Sequence, residues 1–313
     1  MAHPVVSALV PVVLFISAGI LAARRGWIGA GAVKDLSNLV FMLLTPALLF
    51  RTMSTVHLEQ LDFEPVLAYL LGAAVVFALV LGVRGFSRHS AIVALAGTFS
   101  NTVMIGVPLV GLALGEAGLV TLFTLISVHA LVLLTAATVV LELAVAREAG
   151  HGSGARHMLV TVLAAVRNGV LHPVPLPIIA GLLFAQTGLT LPAEIDQSLQ
   201  LLGAALGPMS LLLVGATLAY SGLGHQLRGA IGIALVKNLL HPVLVLGLGK
   251  LLGLGGVPLA AMVLTASLPV GANVFLFSQR YRTAEEVVTA SVAVSTVLGL
   301  VTLPLVLIAI GWL

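Results

Sequence analysis

The run T-F-S-N-T-V-M-I-G-V-P-L-V, Thr98 to Val110, sets a glycine and a proline two residues apart inside an otherwise apolar span. Pro108 has no N–H to donate and its ring presses on the carbonyl one turn back, so the spacing predicts a helix broken at Gly106 to Pro108. Broken backbone in hydrocarbon leaves N–H and C=O groups unpaired at several kcal/mol each, and is tolerated only inside protein or beside a water-filled cavity. Ser100, Asn101 and Thr102 stand next to the expected break and offer hydroxyl and amide groups to the freed backbone or to a solute. A second run, L-T-A-S-L-P-V-G-A-N-V-F-L-F from Leu264 to Phe277, repeats the ingredients with Pro269, Gly271 and Asn273. Paired interruptions in corresponding halves of a membrane protein point to a transporter's substrate site.

Composition places both runs in a polytopic membrane protein. Of 313 residues 60% are hydrophobic and only 8% charged, with a mean hydropathy of +1.19, where a soluble domain carries about a quarter charged residues. The chain has no cysteine, which excludes disulfides and thiolate metal sites. A net charge of +3, spread over short loops between apolar spans, reports membrane orientation and not a nucleic-acid partner. Residues 1–23 carry no basic stretch ahead of the apolar run and no small-residue cleavage site, and read as a retained first span.

At about 20 residues per span, the apolar runs predict an all-α integral membrane protein of ten helices. They fall near 4–23, 33–53, 65–84, 90–113, 117–145, 169–187, 195–220, 227–252, 257–280 and 284–311. The polar, glycine-rich run from Ala146 to His157 lies near the middle. The expected organisation is a first repeat over 1–145, a cytoplasmic linker over 146–168 and a second repeat over 169–313.

Arg24, Arg25, Lys34, Arg84, Arg88, Arg147, Arg156, Arg167, Arg228, Arg280 and Arg282 all fall on one side of this arrangement, against Arg51 and Lys250 on the other. The positive-inside rule turns the larger set to the cytoplasm of a cell membrane and leaves both termini outside. An odd number of spans in each half makes the second half enter the bilayer in the opposite direction, an inverted repeat of the kind many secondary transporters use. Weak internal similarity agrees: Lys34 to Phe50 lies over Asp196 to Leu212, with Pro46 on Pro208.

The runs S-N-T-V-M-I-G-V-P-L-V (Ser100 to Val110), L-T-P-A-L-L-F (Leu44 to Phe50), L-P-V-G-A-N-V-F-L-F-S-Q-R-Y (Leu268 to Tyr281) and S-T-V-L-G-L-V-T-L-P-L-V (Ser295 to Val306) resemble the auxin efflux carrier family. That family includes plant PIN-type auxin exporters and bacterial carriers of malonate and related acids. The resemblance covers nearly the whole chain. It implies two inverted five-helix repeats, with broken fourth and ninth helices crossing at mid-membrane as in the bile-acid symporter fold. It also implies a scaffold from helices 1, 2, 6 and 7, a moving transport domain from helices 3–5 and 8–10, and a homodimer. The long cytoplasmic loop of many plant members is absent.

Half-helix N-termini expose unpaired N–H groups and the positive end of a dipole, which suit a carboxylate. Asn101 and Asn273 are the side chains expected to orient it, since an amide supplies donors and an acceptor; matching positions line the crossover in the family resembled. Ser100, Thr102, Gly106, Pro108, Pro269 and Gly271 complete the expected substrate site. Lys237, alone in an apolar span, has three functional readings: attracting the anion, occupying a coupling cation's place, or changing protonation. The alternative is snorkelling toward the cytoplasmic face. His129 and His241 are candidates for proton coupling, or else buried histidines bonded to neighbouring helices. Ser127, Ser291, Ser295 and Thr296 read as pocket hydroxyls or as packing positions. Histidine spacing matches no metal motif, and neither a metal nor a cofactor is expected.

The function expected from these features is a secondary carrier, not an enzyme, moving small organic anions such as auxin-like or malonate-like acids by an elevator-type displacement implied by the resemblance. A sodium-coupled symporter of the bile-acid type and a receptor for a small acid are the rival readings.

Overall fold

The computed structural model describes residues 4–57, 59, 61–148, 159–160, 163, 167, 175–220 and 226–310. Most of the expected linker lies outside the described residues. Among those described, the protein is all-helical, with a single isolated antiparallel bridge between Ser100 and Val270. The helices are α1 (Pro4–Arg24), α2 (Ala30–Leu39), α3 (Thr45–Met53), α4 (Glu64–Arg84), α5 (Arg88–Ala96), α6 (Val107–Glu148) and α7 (Pro175–Gln186). They continue as α8 (Ala193–Tyr220), α9 (Leu227–Leu235), α10 (His241–Leu251), α11 (Gly256–Ala266), α12 (Asn273–Arg280) and α13 (Glu285–Ile310). Among the described residues, six helical segments are long and apolar enough to cross a membrane: Ala30–Met53, Glu64–Arg84, Thr102–Glu148, Ala193–Tyr220, Leu227–Leu251 and Glu285–Ile310.

The outward faces are apolar: Val83 is 85% exposed and Leu251 84%, with Met42, Leu183 and Leu201 also exposed. Contiguous exposed leucine and valine is costly in water and ordinary against lipid. The most enclosed elements are instead α5, buried at every position from Ser90 to Ala96, and α11, buried from Leu259 to Ala266. These two lead into the interrupted runs, so the backbone breaks are surrounded by protein.

Among the described residues, three five-residue π-helical turns interrupt the helices, at Val40–Leu44, Thr102–Gly106 and Val236–Leu240. Each ends two residues before a proline: Pro46, Pro108 and Pro242. In each case the residue just before the proline donates its N–H five residues back, Thr45 to Val40, Val107 to Thr102 and His241 to Val236. The wider turn takes up the ring that would collide with a carbonyl in a regular helix. This corrects the expected break. Gly106 and Pro108 lie within a continuous helical run from Thr102, and the chain leaves helical geometry earlier, over residues 97–101. Pro208, aligned with Pro46 in the sequence, sits inside the uninterrupted α8 with no such turn.

α1 packs mainly on α8, and α3 on α7 and α8, while α4 packs on α10, α6 on α11 and α9 on α13. α1 and α8 meet backbone to backbone, because a Cβ at Gly19 would collide with the Leu212 carbonyl and one at Gly215 with the Ile16 carbonyl. Gly115, at φ 65 and ψ −155, divides α6 into two helical runs. Arg51 pairs with Asp196 at 2.7 Å at one end of the molecule. The far end of α4 leads to Arg88, whose backbone N–H and guanidinium bond the Glu148 carboxylate and hold it below the usual carboxylate range.

Candidate functional site

The two interruptions, residues 97–101 and 267–272, lie side by side. Asn101 N–H donates to the Pro269 carbonyl at 2.9 Å and Gly271 N–H to the Phe99 carbonyl at 2.8 Å. The approach is close enough that a Cβ on Gly271 would stand 2.7 Å from the Phe99 ring and 2.9 Å from the Ser100 carbonyl oxygen. Other groups freed by the breaks find side chains. Val270 N–H donates to Ser295 Oγ at 3.0 Å, the Thr265 carbonyl accepts from Ser100 Oγ at 2.8 Å, and the Ala266 carbonyl accepts from Lys237 Nζ at 2.5 Å.

Each break is followed by a helix N-terminus carrying an asparagine. Asn101 caps the run that begins at Thr102, its Oδ1 accepting from Met104 N–H at 3.3 Å. Asn273 opens α12, and its side chain makes no hydrogen bond to the described residues. Both asparagines line one cavity of about 60 Å³, together with Ser100, Thr102, His129 and Gly271. That volume has room for about four waters at most.

The expected site residues thus divide. Ser100, Asn101, Thr102, Gly271 and Asn273 are brought to the cavity, although the Ser100 hydroxyl is committed to protein on both sides. Pro269 supplies the carbonyl that pairs the breaks, and Gly106 faces the Leu268 side chain. Pro108 lines a separate apolar cavity of about 270 Å³ between α6, α1 and α8. Of the further hydroxyls, Ser295 reaches the second break, while Ser127, Ser291 and Thr296 bond carbonyls of their own helices.

Lys237 is fully buried and bonded at the C-terminal end of α11, which corrects the snorkelling alternative. His129 reaches the cavity; His241 is fully buried, with both ring nitrogens lacking hydrogen-bond partners among the described residues. Tyr69, which the sequence reading missed, joins these groups. Its hydroxyl lies 2.8 Å from Ser100 Oγ and 3.2 Å from His129 Nε2, and its ring meets the rings of His129 and His241 at 5.5 and 5.0 Å. The available signal was a tyrosine within an apolar span of a chain with only three.

A protein-family model described as "Membrane transport protein" matches residues 4–307. A relative from Rhizobium meliloti (strain 1021), named "Putative malonate transporter", is 30% identical over 295 residues, which cover 91% of this chain and 89% of that protein. With paired backbone interruptions between apolar helices and a match running almost end to end, the chain belongs to this membrane transport protein family, that of the auxin efflux carriers.

Proposed function

We propose that the protein carries small organic carboxylates across the cell membrane, with malonate the first substrate to test. The observation that carries the reading is the cavity where two half-helix N-termini converge, each bearing an asparagine. The positive ends of two helix dipoles stabilise a carboxylate there without a bound metal. The unbonded Asn273 amide and the amino group of Asn101 add donors at the same place. The relative named for malonate supports the choice of substrate.

In the proposed architecture ten spans form two inverted five-helix halves, both termini lie outside, and the paired interruptions are the crossover of the fourth and ninth spans. α1, α2 with α3, α7 and α8 form a scaffold, and the remaining helices form the domain that moves. The packing preferences support this division, as does the cavity between Pro108, Gly207 and Pro208, whose apolar lining offers no polar side chain to hold one surface on the other. An elevator displacement then exposes the cavity to each side in turn. The resemblance to carriers that pair through their scaffolds extends the proposal to a homodimer.

The test is uptake of labelled malonate by proteoliposomes, with calorimetry on the purified protein. Asn101→Ala and Asn273→Ala are each expected to weaken malonate binding at least tenfold, the loss of about 1.4 kcal/mol, while the protein stays folded and extractable. Undiminished affinity in both variants defeats the site assignment.

A further inference from the structure

The protons of the Ser100, Tyr69 and His129 cluster can be counted. The Thr265 carbonyl can only accept, so the hydroxyl proton of Ser100 points at it across 2.8 Å. The 2.8 Å contact between Tyr69 and Ser100 then needs the phenolic proton, and Tyr69 donates it there in preference to the Thr98 carbonyl, a far longer 3.4 Å away. Nothing remains on Tyr69 to give to His129, so the 3.2 Å contact must be made by a proton on His129 Nε2. Protein groups therefore hold the imidazole as the Nε2–H form. The other nitrogen, Nδ1, has no hydrogen bond to the described residues, and His129 lines the cavity between Asn101 and Asn273.

Among the described residues, the titratable groups near enough to act on His129 are Tyr69 from α4, Lys237 from the π turn between α9 and α10, and His241 from α10. None of these described residues is a carboxylic acid, and the cavity side adds only neutral groups, the amides of Asn101 and Asn273 and the hydroxyls of Ser100 and Thr102. A carboxylate entering the cavity is then the counter-ion that an imidazolium at this position would have. We propose that His129 is the proton-coupling residue of the carrier, taking one proton at Nδ1 as a carboxylate enters and releasing it as the carboxylate leaves. The inference rests on the carboxylate reading of the cavity.

The step moves protons only. On the open side the Nδ1 lone pair accepts a proton from hydronium, leaving water and an imidazolium with N–H at both nitrogens. Nδ1–H donates to a carboxylate oxygen while Nε2–H stays on Tyr69. On the opposite side water takes the proton from Nδ1, the lone pair is restored and the anion departs. Tyr69 and Ser100 act as positioning residues: by occupying Nε2 they confine the exchangeable proton to the cavity face.

Nitrogen-15 spectra of histidine-labelled full-length protein read this directly, with the His129 signals assigned by their loss in His129→Gln. The empty protein is expected to give a neutral, Nε2-protonated ring, and saturating malonate to convert it to the doubly protonated form. Calorimetry in two buffers of different ionisation heat, at about pH 7.5 where an ordinary imidazole is mostly neutral, is expected to count about one proton taken up per malonate. Malonate that binds with no proton uptake, or a ring protonated at Nδ1 in the empty protein, overturns the assignment while leaving the carrier reading intact. If malonate, acetate and indole-3-acetate all fail to bind, the carrier reading falls and this inference with it.

Discussion

Lys237 places its Nζ donor at the C-terminal end of α11, where the Ala266 carbonyl has lost its helical partner to the break. The side chain is fully buried, so the contact takes the place of water for both groups. Replacing it with methionine keeps the volume and removes the donor. A buried acceptor left without its donor costs about 1–3 kcal/mol, so Lys237→Met is expected to unfold at clearly lower temperature in thermal scans of the purified protein. An unchanged midpoint would mean that the Lys237 donor does not support the break. Asn238 stands beside it as a further bond to the last span, its amide donating to the Ser295 carbonyl at 2.9 Å.

Among the elements, prolines and close glycines do different work. A proline two residues after a π turn lets a helix continue, as at Pro46, Pro108 and Pro242, whereas the true interruptions are stabilised by pairing with each other. Gly271 is where that pairing is tightest. Gly271→Ala drives a methyl group into the Phe99 ring and the Ser100 carbonyl, and overpacking of this sort costs about 1–3 kcal/mol. The expected result is a lower unfolding temperature together with weaker malonate binding. Gly207→Ala is the control, since its Cβ would meet only Pro108 Cβ at an ordinary 3.6 Å; equal effects from both substitutions would contradict the crowding argument.

For the molecule as a whole, the charge distribution is the basis of the proposed orientation. Arg51 with Asp196 marks one end, and Arg88 with Glu148 the other. The chain has no native cysteine, so a single introduced thiol reports one position. Asp62→Cys is expected to react with a membrane-impermeant maleimide in intact cells, and Glu286→Cys only after the membrane is opened; both positions are exposed. The reverse pattern would invert the proposed orientation.

A polytopic, all-helical membrane protein was legible in the chain because hydropathy and the lengths of apolar runs follow from the bilayer itself; α4, expected at 65–84, spans Glu64–Arg84. The two interrupted runs were legible because proline and glycine act on local backbone, and the asparagines because they stand beside them. The position of the first break was misread by several residues, since a π turn beside Pro108 depends on how the neighbouring carbonyls are packed. Tyr69, its contact with His129 and the bond from Lys237 to Ala266 were out of reach of any local pattern. They join residues from 29 to 60 positions apart, and such contacts arise only when separate helices are packed together and every buried donor must find an acceptor.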